Sequence, residues 1–182
     1  MASLAIIPAR GGSKRIPKKN IKLFLGKPII AYAIEAALKS NVFDEVMVST
    51  DNEEIKDIAI KNGAKVPFLR SDENSNDFST LSDVLIEVLV KYKENKKYFH
   101  TVCCILPTAA LLSSEKIIES YEKLIESNSK TIVPVIKFAY PIQRSLREEH
   151  GLLKMREIEH LNTLVNPERD VGPQSIHKIS AL

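Results

Sequence analysis

Hydrophobic residues along the chain alternate between short continuous runs and longer stretches in which they recur every three or four positions. The short runs have the length of buried strands, and they cover residues 4–7, 45–49, 66–69, 101–106 and 131–136. The run at 101–106 has no polar interruption after its first residue, which predicts a strand buried on both faces. Helical spacing fills the segments between the runs.

The first of these helical segments has a clear start signal. Pro28 suits the first turn of a helix, whose apolar face would be formed by Ile30, Ile34, Ala37 and Leu38. We therefore expect an amphipathic helix that packs this face against the first strand.

The later helices are marked by capping residues. The second is expected to begin with Asp51 as its cap and to end before Gly63. A third covers residues 84–89, and Ser113 or Ser114 caps a fourth. Strands that alternate with helices in this way predict an α/β fold with a doubly wound, mostly parallel sheet.

The composition fits one globular domain and excludes several classes of protein. The chain has 182 residues, of which 44% are hydrophobic and 27% are charged. No apolar run reaches the roughly 20 residues of a membrane span, and the amino end lacks the basic region of a secretory signal. Cys103 and Cys104 are adjacent and cannot form a disulfide framework, which favours a reducing, cytoplasmic location.

Positive charge is concentrated at the start of the chain, although the net charge is only +3. The first 34 residues contain seven Lys and Arg residues and no Asp or Glu. A cationic segment on a mildly acidic body indicates a local anion site rather than a nucleic-acid surface. The alternative is a solvated basic loop that holds no ligand.

The loop that follows the first predicted strand, residues 8–20, has the chemistry to hold such an anion. In parallel sheets, ligands bind beyond the carboxyl ends of the strands, which is where this loop is expected. Gly11 and Gly12 would let the backbone turn tightly and bring N–H groups close to the anion. Arg10 can direct two donors at phosphate oxygens.

Further polar residues of this loop indicate a ligand with several phosphates. Lys14 and Lys19 would act as point charges, whereas Asn20 both donates and accepts, which suits a base or a ribose hydroxyl. A single carboxylate would not employ this many cations. The segment is neither a Walker A loop nor a dinucleotide fingerprint, because it lacks the glycine spacing of both motifs.

Four segments carry a resemblance to a known family. Residues 5–21 and 26–32, AIIPARGGSKRIPKKNI and GKPIIAY, closely resemble the opening of the acylneuraminate cytidylyltransferases. Residues 43–51 and 63–70 continue the resemblance in order and spacing, and the chain looks most like the pseudaminic acid branch. The resemblance covers residues 4–163 and implies the Rossmann-like fold of the nucleotide-diphospho-sugar transferases.

That resemblance implies a reaction and a set of functional residues. The anomeric hydroxyl of a nonulosonic acid would attack the α-phosphate of CTP, giving a CMP-sugar and pyrophosphate with the help of Mg²⁺. Arg10 and Lys19 are the expected catalytic residues, while the metal ligands stay unassigned. The expected nucleotide contacts, matched position by position, are Arg10, Gly11, Gly12, Ser13, Lys14, Lys19, Asn20 and Arg70.

Two residues near these positions have simpler explanations. Arg70 would also be explained by a surface ion pair with Asp72 or Glu73. Asp51 is fully accounted for as a helix cap, so we do not place it in the site.

The expected sugar-binding residues are Thr108, Gln143 and Arg144. Sialic acid members of the family have a glutamine where this chain has Leu106, which favours the pseudaminic branch. Simpler explanations exist here too, because a Pro-Thr turn needs no ligand and Arg144 would also pair with Glu148 across one helical turn.

The resemblance ends in the last part of the chain. We expect a nucleotidyltransferase α/β domain over residues 1–163 and a divergent tail over residues 164–182, for which disorder is one interpretation. Members of the family continue with metal ligands, part of the sugar pocket and dimer contacts, so the resemblance implies a C-terminally truncated enzyme. The homodimer that the family implies is a weaker expectation for that reason.

Two other functions stay open beside the cytidylyltransferase. One is a catalytically impaired, CTP-binding fragment of that enzyme, and the other is a nucleic-acid binder that uses the basic loop. The compact spacing of the cations and the lack of interleaved aromatic residues argue against the second. The expected partners are therefore CTP and a nonulosonic acid, with no nucleic acid and no membrane.

Overall fold

A computed structural model describes residues 2–135 and 145–155, and it confirms the alternation of strands and helices. The strands are β1 (Ser3–Pro8), β2 (Leu23–Phe24), β3 (Lys27–Pro28), β4 (Glu45–Ser49), β5 (Thr101–Cys104), β6 (Leu146–Glu149) and β7 (Leu152–Met155). The α-helices are α1 (Ile29–Lys39), α2 (Glu53–Lys61), α3 (Leu81–Glu94) and α4 (Ser114–Glu126). Contacts divide the chain into two compact units, Met1–Ile132 and Val133–Leu182.

The first unit is built on a parallel sheet with β1 at its centre. The strand order is β4-β1-β5, and β1 pairs in parallel with both neighbours. The first five residues of β1 are buried, as expected for a central strand of a parallel sheet. The predicted α/β class with a mostly parallel sheet is therefore confirmed.

Helices cover both faces of this sheet. Ala5 and Ile7 of β1 belong to a buried cluster with residues of α1, α2 and α4. Leu4 and Ile6 point to the opposite face, where they pack in a second cluster with Val88 of α3. Alternate side chains of one strand thus enter two separate cores, which makes the doubly wound, three-layer arrangement.

Helix α1 follows its predicted pattern except at one position. Ile30 and Ile34 are fully buried and Ala37 is nearly so. Leu38 lies on the same face, between the buried Ile34 and Ala31, but it belongs to the last turn of the helix and is 39% exposed.

The helix termini confirm most of the predicted caps and correct one. Helix α2 is capped by Asn52, whose side chain accepts a hydrogen bond from the Ile55 N–H, so the prediction of Asp51 as the cap is wrong. Gly63 has φ of +92° and follows the end of α2, as expected of a glycine stop. Ser113 caps α4.

The third predicted strand, at residues 66–69, is wrong. Only Lys65 joins the sheet, through backbone hydrogen bonds with Val46 and Val48 of β4, both 2.9 Å long. The next residue that would donate to β4 is Pro67, which has no N–H. The chain nevertheless stays beside β4, and the Arg70 N–H donates to the Thr50 carbonyl at 2.8 Å.

The other two strand predictions hold only in part. Strand β5 ends at Cys104, and Val102 is 37% exposed, so burial on both faces is wrong for this strand. In the described residues β5 is an edge strand of the sheet, with β1 as its one neighbour. Residues 131–135 form no helix or strand, and residue 136 lies outside the described residues.

In the second unit, the described residues form one antiparallel hairpin. Strands β6 and β7 pair from Leu146 with Met155 to Glu149 with Leu152. His150 and Gly151 make the turn with φ of +53° and +77°, the sign that tight hairpin turns require. Among residues 2–135 and 145–155, no helix combines the length and apolar character needed to cross a membrane.

Candidate functional site

A cavity of about 820 Å³ opens beyond the carboxyl ends of β1 and β5. Its wall includes Pro8 at the end of β1 and residues 106–108 after β5. The predicted site residues that line it are Arg10, Ser13, Lys14, Lys19, Asn20, Arg70 and Thr108. The expectation that the basic loop lies at this edge of the sheet is therefore confirmed by its position.

Arg10 and Lys14 both contact the loop that precedes α3. One terminal nitrogen of Arg10, Nη1, donates to the Asn76 carbonyl at 2.6 Å, and Nη2 donates to Asp77 Oδ1 at 2.7 Å. The Lys14 ammonium pairs with the other carboxylate oxygen of Asp77. The hydrogen bonds from Lys14 and Arg10 hold the pKa of Asp77 below its usual value.

The two glycines of the basic loop lie in different surroundings, and neither lines the cavity. The Gly11 N–H donates to Asp51 Oδ1 at 2.7 Å, and a Cβ on Gly11 would lie 2.9 Å from Asn52. No atom lies within 4 Å of the position that a Cβ on Gly12 would occupy. Gly11 is therefore needed for close packing against the end of β4, and its N–H is already bonded.

Asn20 lines the cavity and is only 4% exposed. It belongs to a short 3₁₀ helix, Lys19–Ile21, which exposes Lys19. The Asn20 amide donates to the Arg10 backbone carbonyl at 3.0 Å, which connects this helix to the residue whose side chain contacts Asp77. Among the described residues, the buried Asn20 Oδ1 has no hydrogen-bond partner.

Arg70 is the most buried cation of the site, with 8% of its surface exposed. Its guanidinium donates to the Ser49 hydroxyl at 3.1 Å and to the Ser49 carbonyl at the end of β4. Burial lowers the pKa of Arg70, although Asp51 and Glu87 oppose the shift, and an arginine keeps its charge regardless. The alternative of a surface ion pair with Asp72 or Glu73 is wrong, since Arg70 forms neither contact.

Glu87 of α3 holds the loop that follows Arg70. Its carboxylate accepts from the Ser71 N–H at 2.8 Å, the Ser71 hydroxyl at 3.0 Å and the Asn74 amide at 2.6 Å. The Lys91 ammonium also donates to Glu87, to Oε1 at 2.6 Å. Burial opposes ionisation of Glu87, but these hydrogen bonds outweigh it and lower its pKa to about 2.

Of the three predicted sugar-binding residues, the structure describes Thr108. Thr108 is exposed on the cavity wall, next to the buried Pro107. Leu106 also lines the cavity and is 54% exposed, which gives this part of the wall an apolar surface. Gln143 and Arg144 lie outside the described residues. The alternative of a helical Arg144–Glu148 pair loses its basis, because Glu148 lies on strand β6.

The described residues do not contain a ready-made metal centre. In residues 2–135 and 145–155, no group of three or more His, Cys, Asp or Glu side chains could hold an ion. Three carboxylates contact the basic loop, and each is already bonded: Asp51 to Gly11, Asp77 to Arg10 and Lys14, and Glu54 to Lys18. A cation would have to take most of its ligands from another source, such as the oxygens of a bound phosphate.

Several residues of the site were missed by the sequence analysis. Asp77 and Asn76 contact Arg10 across 66 or more positions of the chain, a separation that no local pattern reveals. Asp51 was attributed to a helix cap, yet it bonds to the glycine of the basic loop. The available signals in the sequence were that Asp51 follows a predicted strand and that Asn76 and Asp77 precede a predicted helix.

Known proteins resemble this chain in sequence. A family model described as "Cytidylyltransferase" matches residues 4–169. Pseudaminic acid cytidylyltransferase of Campylobacter jejuni is 50% identical over 148 residues, which are 80% of this chain and 62% of that protein. CMP-N,N'-diacetyllegionaminic acid synthase of Legionella pneumophila is 44% identical over 117 residues, which are 64% of this chain and 50% of that protein. The chain thus spans less than two thirds of the length of these relatives.

Solved structures resemble it in fold. A CMP:2-keto-3-deoxy-manno-octonic acid synthetase complexed with CTP matches 71% of this chain and 49% of its own, with a TM-score of 0.59 and 23% identity. A cytidylyltransferase from Leptospira borgpetersenii matches 69% of this chain and 50% of its own, with a TM-score of 0.54 and 22% identity. At such identities the likeness concerns the fold alone, whereas the sequence match decides the family. With a parallel α/β sheet, a cationic loop beyond β1 and this match over residues 4–169, the chain belongs to the cytidylyltransferase family, and its 50% identity to a pseudaminic acid cytidylyltransferase supports the pseudaminic acid branch.

Proposed function

We propose that this chain transfers CMP from CTP to the anomeric hydroxyl of a nonulosonic acid, and that the acceptor is pseudaminic acid. The observation that carries the proposal is that five cationic side chains, those of Arg10, Lys14, Arg15, Lys19 and Arg70, line one cavity. A triphosphate is the nucleotide group with enough negative charge to employ them all. The relative with 50% identity supports pseudaminic acid as the acceptor.

In the proposed reaction, the acceptor oxygen attacks the α-phosphorus and passes its proton to solvent, while the bond from that phosphorus to the bridging oxygen breaks. Negative charge then accumulates on the departing pyrophosphate. Arg10 and Lys19 are the proposed catalytic residues, because cations aimed at that charge stabilise the transition state more than the ground state. Lys14 and Arg70 hold the same phosphates by charge alone.

The remaining residues are proposed to position the two substrates. Asn20 has a buried carbonyl oxygen without a described partner, which supports a contact to a hydroxyl or amino donor of the nucleoside. Gly11, Gly12 and Ser13 shape the loop around the phosphates. Thr108, Gln143 and Arg144 are proposed for the sugar acid, and the exposed Leu106 beside Thr108 supports an acceptor that is not hydroxylated along its whole length.

A divalent metal, Mg²⁺, belongs to the same proposal but has no built site in the described residues. When bound, Mg²⁺ neutralises phosphate charge and orients the leaving group. Mg²⁺ commonly uses one or two carboxylates together with substrate phosphates, so the described chain supplies at most part of its ligands. Cytoplasmic location is also proposed, which agrees with the free thiols of Cys103 and Cys104.

The direct test is pyrophosphate release from CTP, measured with and without a nonulosonic acid. We expect release with pseudaminic acid, and loss of release when Arg10→Gln and Lys19→Gln are combined. Lys18→Gln combined with Lys22→Gln is the matched control, because both lysines are exposed in the same basic segment and neither lines the cavity. Loss of charge alone would affect the control as much as the double variant.

The outcomes separate the candidate functions. No release with any nonulosonic acid would remove the proposed activity, whereas CTP-dependent thermal stabilisation without release would leave a nucleotide-binding module. Salt-sensitive binding of DNA or RNA without preference for CTP would identify a nucleic-acid binder instead. The homodimer implied by the resemblance would be tested by sedimentation of the full chain.

A further inference from the structure

The loop before α3, residues 71–79, places a carboxylate where the basic loop would receive a phosphate. Asp77 contacts Arg10 through one oxygen at 2.7 Å and Lys14 through the other oxygen. The Asn76 carbonyl takes the second terminal nitrogen of Arg10 at 2.6 Å. In the free chain, the forked donors of Arg10 and the Lys14 charge are therefore already occupied.

Asp77 is presented by a loop that is ordered by its own hydrogen bonds. The Asn76 side-chain oxygen accepts from the N–H groups of Phe78 at 2.7 Å and Ser79 at 3.0 Å. The Ser79 hydroxyl donates to the Glu73 carbonyl at 2.8 Å. The turn that carries Asp77 therefore does not depend on Arg10 and Lys14 to hold its shape.

Both ends of this loop are fixed to α3. Glu87 binds Ser71 at the start, and Thr80 forms a capping box with Asp83 at the end. Fixed ends and a self-bonded turn keep Asp77 close to the cations, at a high effective concentration. A weak contact between exposed charges can then compete with a ligand in solution.

A phosphate and the Asp77 carboxylate cannot share the same two cations, because their negative charges repel and they need the same donors. We propose that Asp77 is an internal competitor for the phosphate subsite formed by Arg10 and Lys14, and that it opposes both the CTP tail and the pyrophosphate product. This inference rests on the proposed function for the identity of these ligands. Each arriving phosphate displaces Asp77, and Asp77 returns as the phosphate leaves.

The consequence for turnover follows from the product. Pyrophosphate keeps the charge that Arg10 and Lys14 attract, and a site optimised for CTP would retain it. Asp77 lowers the affinity for both anions by about the same factor, so it accelerates product release while weakening CTP binding. Ion pairs between exposed side chains are weak, and two of them correspond to roughly a three- to tenfold change in affinity.

The test is Asp77→Asn, with affinities for inorganic pyrophosphate, CTP and cytidine measured by titration calorimetry in buffer without divalent cations. We expect pyrophosphate and CTP to bind roughly three- to tenfold more tightly and cytidine to be unchanged. Asp72→Asn is the matched control, because Asp72 is an exposed acid of the same loop and contacts neither cation. Thermal unfolding of Asp77→Asn and of a second variant, Asp77→Ser, checks that the fold is intact.

Three results would overturn the inference. Unchanged or weaker pyrophosphate binding in Asp77→Asn would show that the carboxylate does not compete. An equal gain in pyrophosphate affinity in Asp72→Asn would show that the effect comes from net charge. CTP binding to Asp77→Asn that weakens only after Mg²⁺ is added would show that Asp77 is a metal ligand instead. If Asp77→Asn binds pyrophosphate more tightly but neither the parent chain nor the variant binds CTP, the competition by Asp77 is supported and the proposed function fails.

Discussion

At the scale of single residues, two adjacent glycines have different reasons to be glycine. Gly11 lies against the end of β4, where Asp51 accepts its N–H and the Asn52 side chain leaves no room for a Cβ. Gly12 has open space around it. Local composition does not distinguish the two glycines, because the contact that sets Gly11 apart comes from residues 40 positions further along the chain.

This difference gives a prediction with a built-in control. Gly11→Ala should push the loop away from Asn52 and destabilise the fold by about 1–3 kcal/mol, as overpacked sites do. CTP binding should weaken as well, because Arg10 is the next residue. Gly12→Ala should change neither quantity by much. Urea unfolding and CTP titration of both variants would check this, and equal effects would contradict the packing argument.

How far the candidate site could be predicted also depends on single residues. Arg10, Lys14, Lys19 and Asn20 were predicted from local composition, and they do line one cavity. Asp77 was not, because nothing near it in the sequence distinguishes a carboxylate that will meet Arg10 from one that stays solvated. Asp51 was assigned to the wrong role because a helix cap can be either of two neighbouring residues, and Asn52 takes that position.

At the scale of elements, helix α3 controls a wall of the cavity through Glu87. The side chain of Glu87 is 11% exposed and binds Ser71, Asn74 and Lys91. Ser71 directly follows Arg70, so the helix fixes the residue next to the buried guanidinium. The loop is therefore an extension of α3 rather than an independent segment.

Glu87→Gln should reduce the free energy of unfolding by about 1–3 kcal/mol at neutral pH, because a buried acceptor is replaced by a donor facing Ser71. The pKa of Glu87 is lowered from 4.5 to about 2 in the folded protein, so its ionised form stabilises the fold above pH 4.5. That stabilisation is lost as the pH falls from about 4.5 to about 2. Denaturant unfolding at several pH values should show a shallower acid slope for the variant, and identical slopes would contradict this role.

The elements themselves show why some predictions succeed and others fail. Strands β1 and β4 were predicted because continuous apolar runs of this length fit a buried parallel sheet, and the pairing of the two confirms it. The run at 66–69 has the same character, but Pro67 removes the donor that the ladder needs. Hydrophobicity therefore identified which segment lies beside β4, whereas backbone hydrogen bonding decided that it is not a strand.

At the scale of the whole molecule, charge is distributed unevenly around the cavity. Lys14 is 80% exposed, whereas Arg70 is buried. Salt screens the interaction between exposed charges that lie farther apart than about 10 Å at 0.1 M ionic strength, and farther apart than about 3 Å at 1 M. Part of the attraction for an anion therefore depends on ionic strength and part does not.

We accordingly expect CTP affinity to fall by roughly tenfold between 0.05 and 0.5 M salt and then to level off. Cytidine, which has no phosphates, should bind with little salt dependence. Titrations of both ligands at four salt concentrations would check this. A continuous fall with no plateau would indicate that only exposed cations hold the nucleotide.

The hydrogen bonds of the buried Arg70 to Ser49 determine when its guanidinium loses its hydration water. In the part of the chain that the structure describes, no carboxylate lies within ion-pair distance of this guanidinium, and it is held by a hydroxyl and a carbonyl instead. The group is therefore dehydrated and oriented while the polypeptide folds, before any substrate arrives. An incoming anion meets a positive charge that is already in place and needs no rearrangement of solvent around it, which is how preorganised dipoles and charges speed a chemical step.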